Sequence, residues 1–157
     1  MNRAVMIMVA MISSLLIELE PPIAPVQPQA FMIEEPTEAP KQEKVVTYDS
    51  IDMLARCVQA EAGNQGLMGK QLVVDVILNR VDSPRFPNDI ASVISQPGQF
   101  SVYPYSMNRA VVDAETLQAI MNELGIRTDD KILFFTAGRY NKYCIPAYQY
   151  GAHYFGY

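Results

Sequence analysis

The stretch that most constrains the fold is residues 54–81, LARCVQAEAGNQGLMGKQLVVDVILNRV, which predicts two helices joined by a glycine-containing elbow. In its first half, apolar residues recur at the three- and four-residue steps that form one face of a helix. From about Leu67 to Val81 they cover most of the circumference, which is typical of the buried central helix of a small domain. Between the helices, Gly63 and Asn64 are residues that readily take the left-handed conformation ending a helix.

Glu61 lies in the last turn of the first predicted helix, directly before the elbow. The negative end of the helix dipole and the neighbouring apolar side chains both disfavour an ionised carboxylate, so we expect its pKa to be raised. A carboxyl group that keeps its proton near neutral pH can serve as a general acid. The alternative is an ordinary solvated glutamate on a helix surface.

A narrow polar stripe interrupts the second helix, because Gln71, Asp75 and Asn79 recur every four residues. This spacing places the three side chains on one side, where they either meet solvent or line a cleft. Asp75 is the best placed candidate for a second, auxiliary carboxylate, and its alternative role is that of a solvated helix residue.

Beyond these helices the chain predicts shorter elements and a small β structure. The predicted elements are a first-helix cap at Asp49 or Ser50, a short helix capped by Asp89 and running through Ile94, a helix from Val111 to Gly125, a strand from Ile132 to Thr136, and a half-exposed C-terminal hairpin from Arg139 to Tyr157. Five tyrosines in the hairpin, from Tyr140 to Tyr154, either stack on sugar rings or simply reflect β structure.

Two segments precede the predicted domain. Residues 1–20 carry Arg3 and then a charge-free, largely apolar run, which has the length of a signal-peptide core and is short for a membrane span. We therefore predict an exported protein whose leader is either removed or kept as a short membrane tether. Residues 21–46 are rich in Pro, Glu and Gln and predict a disordered linker, which leaves 47–157 as the folded domain.

The charge distribution argues against a nucleic-acid partner. The net charge is −5, most of the excess acid lies between Glu18 and Lys44, and no basic stripe is available to bind phosphates. With one histidine and no clustered carboxylates, the sequence also predicts no metal site and no cofactor.

Cys57 and Cys144 are the only cysteines. In an exported domain an even number of cysteines favours a disulfide, here between the first helix and the C-terminal hairpin. The competing interpretation is a thiol peptidase or amidase in which Cys57 is the nucleophile and His153 the base.

Residues 55–101 resemble the SleB-type cell wall hydrolases, the spore cortex-lytic enzyme family. The shared motifs are A-R-x-V-x-A-E-A, a glycine-bearing turn, a helix ending in N-R-V, then F-P-x-x-I-x-x-V-I and Q-F-S, followed later by I-L-F-F and a terminal G-x-H-x-F. The resemblance implies an α+β, mainly helical, lysozyme-like domain with a small sheet or hairpin. It also implies action on peptidoglycan glycan strands, with Glu61 as the catalytic acid.

The sequence offers no convincing second carboxylate, so attack by the sugar's own 6-hydroxyl is the simpler route, and we predict a lytic transglycosylase. Expected substrate contacts rest on motif position or side-chain type: Asn79, Gln99, Ser101, Tyr103, Tyr105 and His153. The expected protein is a monomer that acts outside the cytoplasm. A peptidoglycan amidase or peptidase and a non-catalytic glycan-binding module are the rival functions.

Overall fold

The computed structural model describes residues 46–157. The predicted leader, and the linker except for Val46, lie outside the described residues. Within the described part, no helix combines the length and the apolar character needed to cross a bilayer.

The described chain forms a helical region followed by a small sheet, which confirms the predicted α+β class. The helices are α1 (Tyr48–Ala62), α2 (Gly66–Asp82), α3 (Ile90–Ser95), α4 (Tyr105–Arg109) and α5 (Ala114–Gly125), and the strands are β1 (Phe134–Ala137), β2 (Pro146–Tyr150) and β3 (His153–Gly156).

Helix α1 begins earlier than predicted. Its N-cap is Thr47, whose side chain accepts a 3.2 Å hydrogen bond from the backbone nitrogen of Ser50, while the Ser50 hydroxyl accepts one from the Thr47 nitrogen. This reciprocal pair satisfies two backbone donors that a helix start otherwise leaves open. The predicted cap at Asp49 or Ser50 is therefore wrong.

The elbow between α1 and α2 also differs from the sequence-based prediction. Gly63 keeps a right-handed conformation, with φ −56°, and the left-handed residue is Gly66, with φ 68°, at the start of α2. The bend therefore occupies the full interval between the two glycines, and Gly66 supplies the backbone conformation that side chains rarely adopt.

Helix α2 is the buried centre of the domain, as its apolar circumference predicts. Its polar stripe, however, meets neither solvent nor a cleft, because it is buried against α5 and the segment after it. Gln71 donates a hydrogen bond to Glu123 of α5, while Asp75 and Asn79 both bond to the backbone of Asp129. The stripe therefore fixes the packing of α2 against α5.

Helix α5 starts at Ala114 rather than at Val111, because Asp113 is its N-cap and accepts a hydrogen bond from the Thr116 nitrogen. The fully buried Lys70 of α2 donates to Asp113 at 2.8 Å and to Glu115 at 2.9 Å. This ion pair links the centre of the domain to the start of α5.

The three strands form an antiparallel sheet in the order β1, β3, β2. His153 at the start of β3 is paired with Ala137 of β1 on one side and with Tyr150 of β2 on the other. The predicted hairpin is confirmed, and its turn contains Gly151 with φ 55°. Strand β1 starts two residues after the predicted start at Ile132, which is instead buried against α2 and β3.

The predicted disulfide is not formed, since both cysteines are free in the structure. Cys57 is fully buried in the helical core. Cys144 lies in the loop before β2, where its thiol donates a 3.2 Å hydrogen bond to the Asn141 carbonyl and packs against Gly156. Cys57 is therefore packed in the core and Cys144 is held in the loop, so the two sulfur atoms do not bond to each other.

Candidate active site

A cleft of about 810 Å³ opens between the end of α1 and the sheet. Its walls come from four parts of the chain: the last turn of α1, the turn that follows α3, β1 with its following loop, and the start of β3. The lining residues are Glu61, Gly98, Gln99, Ser101, Phe135, Thr136, Ala137, Arg139, Tyr140, Asn141, Lys142, Tyr143 and His153.

Glu61 is half-buried in this cleft. Burial raises the pKa of its carboxyl group, and a hydrogen bond from the backbone of Val102 acts in the opposite direction without cancelling the effect. The pKa direction therefore agrees with the prediction from the sequence, and burial is its main cause. Glu61 is the only carboxylate among the cleft-lining residues of the described chain.

His153 forms part of the cleft wall and is only 5% exposed. Its ring centroid lies 5.0 Å from that of Phe135 on the neighbouring strand. Burial lowers the pKa of the imidazole, which favours the neutral ring. Nδ1 has no hydrogen-bond partner among the described residues.

Gln99 and Ser101 line the cleft as predicted, and both are exposed. They follow a turn in which Gly98 has φ 75°. Between them, Phe100 points into the core and anchors the segment. The exposed amide and hydroxyl on either side of this anchor are therefore available to a ligand.

Arg80 links that segment to the sheet, a role that the sequence analysis missed. Its guanidinium carbon lies 5.3 Å from the Phe100 ring centroid, and its Nε donates a 2.7 Å hydrogen bond to the Leu133 carbonyl beside β1. Burial lowers the pKa of Arg80 to about 10. The arginine in the N-R-V motif was visible in the sequence, but its partners are distant along the chain.

The other predicted contacts do not line this cleft. Asn79 is 6% exposed, and its amide donates at 2.8 Å to the Asp129 carbonyl and at 2.9 Å to the Ile132 carbonyl, so its donors hold the backbone. Asp75 is fully buried against Glu123 and Asp129. Neither residue is therefore placed to touch a substrate in this cleft.

Tyr103 and Tyr105 are also outside the cleft lining. Tyr103 precedes a cis peptide bond to Pro104, and Tyr105 is 79% exposed at the start of α4. The tyrosines that do line the cleft are Tyr140 and Tyr143, which lie in the tyrosine-rich tail noted in the sequence.

Three further residues line the cleft beside these tyrosines and were not predicted from the sequence: Arg139, Asn141 and Lys142. The only signal was the local alternation of basic and aromatic residues in RYNKY. This pattern is equally consistent with an exposed turn, and the loop's position over the cleft depends on the sheet.

Comparison with known proteins agrees with this architecture. Residues 64–156 match the family model described as Cell Wall Hydrolase, a range that begins three residues after Glu61. The spore cortex-lytic enzyme of Bacillus subtilis is 36% identical over 95 residues, covering 50% of this chain and 31% of the relative. That of Halalkalibacterium halodurans is 36% identical over 75 residues, covering 42% of this chain and 23% of the relative. The chain thus spans less than a third of these relatives.

Two solved structures share the fold. The catalytic domain of SleB from Bacillus anthracis, a germination-specific lytic transglycosylase, superposes with a TM-score of 0.65 at 23% identity, covering 72% of this chain and 98% of that domain. The catalytic domain of the Bacillus cereus SleB protein gives a TM-score of 0.64 at 22% identity, with 71% and 91% covered.

Proposed function

The chain belongs to the cell wall hydrolase family, and from that premise we propose that it cleaves peptidoglycan glycan strands between N-acetylmuramic acid and N-acetylglucosamine. The reaction we propose is that of a lytic transglycosylase, with Glu61 as general acid and then general base. The relatives support this assignment, since they are spore cortex-lytic enzymes and a lytic transglycosylase.

The observation that carries the proposal is that Glu61 is the only carboxylate lining the cleft in the described chain. A two-carboxylate glycosidase needs a second acid about 5 to 9.5 Å from the first, either as nucleophile or to activate water. Asp75, the sequence candidate for that role, is buried against α5. A reaction in which one carboxyl group handles both proton transfers fits this cleft better.

In the first step, the protonated carboxyl group of Glu61 donates its proton to the glycosidic oxygen. The bond between that oxygen and C1 of the muramic residue breaks, and C1 gains oxocarbenium character. Burial raises the pKa of Glu61 and so maintains the acid form. The backbone hydrogen bond from Val102 stabilises the carboxylate that remains after donation.

In the second step, the Glu61 carboxylate accepts the proton of the muramic 6-hydroxyl, and the 6-oxygen attacks C1. The products are a 1,6-anhydro-muramic end and a free 4-hydroxyl on N-acetylglucosamine. No water is consumed, and Glu61 regains its starting proton.

The other cleft residues supply binding groups for such a strand. Gln99 and Ser101 offer exposed hydrogen-bonding groups, and Tyr140 and Tyr143 offer rings on which sugars can stack. Neutral His153 can both donate and accept hydrogen bonds.

The location follows from the proposed substrate. Peptidoglycan lies outside the cytoplasmic membrane, so we place the activity there, with the protein acting as a monomer on glycan strands. That residues 1–20 are a leader, either removed or kept as a membrane tether, stays a prediction from the sequence.

The thiol amidase alternative has little support in the cleft. Cys57 is fully buried and does not line the cleft that His153 lines. Burial raises the pKa of the thiol and disfavours the reactive thiolate.

Mass spectrometry of soluble fragments released from purified peptidoglycan tests the proposal. We expect anhydro-muramyl products from the wild-type protein and their loss in Glu61→Gln, while Asp130→Asn, which removes an exposed carboxylate outside the cleft, retains them. Reducing-end muramyl products would indicate hydrolysis by water. Cleaved peptides would indicate an amidase or peptidase, and retention on peptidoglycan without fragments would indicate a binding module.

A further inference from the structure

The cleft carries two cations whose role the proposed reaction does not explain. We propose that Arg139 and Lys142 form a subsite for a carboxylate on the muramic residue at the cleaved bond, an inference that rests on the proposed function. This subsite favours strands whose muramic residues bear an anionic substituent over strands in which that substituent is neutral.

Both cations lie in the loop between β1 and β2, and both are exposed on the same cleft wall. The only acidic group that lines this cleft in the described chain is Glu61. When Glu61 is protonated, as the first step requires, Arg139 and Lys142 are the charged side chains left in the lining. The cleft is therefore locally positive although the whole chain has a net charge of −5.

Neither cation is neutralised by an ion pair within residues 46–157. The ion pairs of that part of the chain involve Arg56, Lys70 and Arg127 instead. The Lys142 ammonium lies 4.7 Å from the ring centroid of Tyr143, a contact that positions the cation and leaves its charge in place.

The loop that carries the cations is held by local contacts. Asn141 accepts a 2.9 Å hydrogen bond from the Tyr143 nitrogen, and the ring of Tyr140 packs edge-on against Tyr154 at 5.1 Å. The hydroxyl of Thr136 donates to the Arg139 carbonyl. Because the backbone is ordered before a ligand arrives, less entropy is lost when the cations bind an anion.

The position of the reacting groups selects which anion fits. The proposed second step uses the 6-hydroxyl of the muramic residue, so an anionic group attached at that oxygen would prevent the reaction. The lactyl group on C3 leaves the 6-hydroxyl free, and it carries either its own carboxylate or a stem peptide with carboxylates. Guanidinium and ammonium groups are the usual partners of such carboxylates.

The test compares native peptidoglycan with the same material after its carboxylates have been converted to amides by carbodiimide coupling. We expect the wild-type protein to release anhydro-muramyl fragments roughly tenfold faster from the native material, the effect of two partly exposed charge contacts. In Arg139→Gln/Lys142→Gln this ratio should fall to near one. The matched control, Arg109→Gln/Lys131→Gln, removes an arginine and a lysine that are exposed outside the cleft and should keep the wild-type ratio.

A third substrate, strands whose stem peptides have been removed by an amidase, identifies the source of the carboxylate. A fast rate on these strands assigns the contact to the lactyl carboxylate, and a slow rate assigns it to the stem peptide. Equal wild-type rates on native and amidated material would overturn the subsite.

Failure of the proposed reaction is a distinct result, because it gives no anhydro products from any substrate. Binding of Glu61→Gln to native and amidated peptidoglycan then tests the subsite without catalysis. Tighter binding to the native material, lost with Arg139→Gln/Lys142→Gln, supports the subsite, and equal binding overturns it.

Discussion

The side-chain oxygen of Gln65 accepts a 3.0 Å hydrogen bond from the backbone nitrogen of Ala152. Gln65 lies in the elbow that follows Glu61, and Ala152 lies in the turn that precedes His153. The bond therefore joins the helix end that carries the acid to the strand that carries the histidine. Gly151 leaves room for it, since a side chain there would collide with the Gln65 oxygen.

We predict that Gln65→Leu loosens this junction. Loss of the acceptor should lower the free energy of unfolding by about 1 kcal/mol and reduce kcat more than it raises KM, because the acid and the far wall lose their fixed spacing. Gln65→Glu keeps an acceptor oxygen and should therefore retain most of the wild-type free energy of unfolding and most of kcat. Denaturant unfolding and fragment release measure the two effects, and identical values for Gln65→Leu and wild type would contradict the junction's role.

The pH dependence of cleavage should follow the ionisation of Glu61. Because its pKa is raised and the first step needs its proton, kcat/KM should be highest at pH values below that pKa and should fall as pH rises through it. In Glu61→Gln the residual rate should be lower by about 10²- to 10⁴-fold and should lack this fall. A wild-type rate that instead rises as Glu61 ionises would make it a base in the first step and reject the mechanism.

Asp75 and Glu123 are neighbouring buried carboxyl groups whose pKa values shift in opposite directions. Burial, together with the hydrogen bond to Glu123, raises the pKa of Asp75 to about 8, while the hydrogen bonds to Glu123 from Asp75, Thr128 and Gln71 outweigh burial and hold the Glu123 pKa low. Between its unfolded pKa and about pH 8, Asp75 is protonated in the folded state only. This group's contribution to stability is therefore complete at low pH and is lost as pH rises.

Replacing that proton with a permanent amide should remove the pH effect. Asp75→Asn can still accept from the Asp129 nitrogen and donate to Glu123. We expect its stability relative to wild type to increase with pH by up to about 1.4 kcal/mol per pH unit between about pH 5 and 7, and to level off above pH 8. Urea unfolding at several pH values gives this difference, with the exposed Asp130→Asn as control. Parallel curves for wild type and Asp75→Asn would mean that Asp75 is already ionised in the folded protein.

Asp113 should matter more to stability than Glu115, although both bind Lys70. Asp113 also caps α5 through the Thr116 nitrogen and accepts a 3.3 Å hydrogen bond from Gln59 of α1. Asp113→Ala should lower the free energy of unfolding by about 1 to 2 kcal/mol, the usual effect of losing an N-cap. Glu115→Ala loses an exposed partner and should lower it by less than about 1 kcal/mol. Equal losses in thermal or urea unfolding would show that the cap contributes nothing beyond the ion pair.

The free thiols predict that a reductant does not change the thermal stability of the protein. Since Cys57 and Cys144 are not bonded, adding a reductant should leave Tm unchanged, and Cys144→Ser should unfold within a few degrees of wild type. Thiol titration of the denatured protein, with alkylation as the readout, should count two free cysteines. A fall in Tm on adding a reductant would instead support the disulfide predicted from the sequence.

Much of the local structure was predictable because it depends on near neighbours in the chain. Apolar periodicity located α1 and α2, Asp89 was correctly identified as the cap of α3, and alternation in the tail predicted the hairpin. Helix starts were predicted less accurately, since the cap of α1 is Thr47 rather than Asp49 or Ser50, and the cap at Asp113 starts α5 after the predicted Val111. The placement of Glu61 at the end of a helix also needed only local information, whereas the burial that is the main cause of its raised pKa requires the folded domain.

The sequence by itself therefore determined α1, α2, α3 and α5, the hairpin, the family resemblance, and the position of Glu61 at a helix end, whereas α4 was not predicted. Tertiary structure decided which polar groups share a site. Asn79 and Asp75 have the spacing of cleft residues, yet the packing of α5 commits them to the Asp129 backbone, which is 50 and 54 positions away. Arg139 and Lys142 gave little local signal, and they line the cleft because the sheet brings their loop opposite α1. Periodicity reports which side of a helix is polar, whereas long-range packing decides what that side meets.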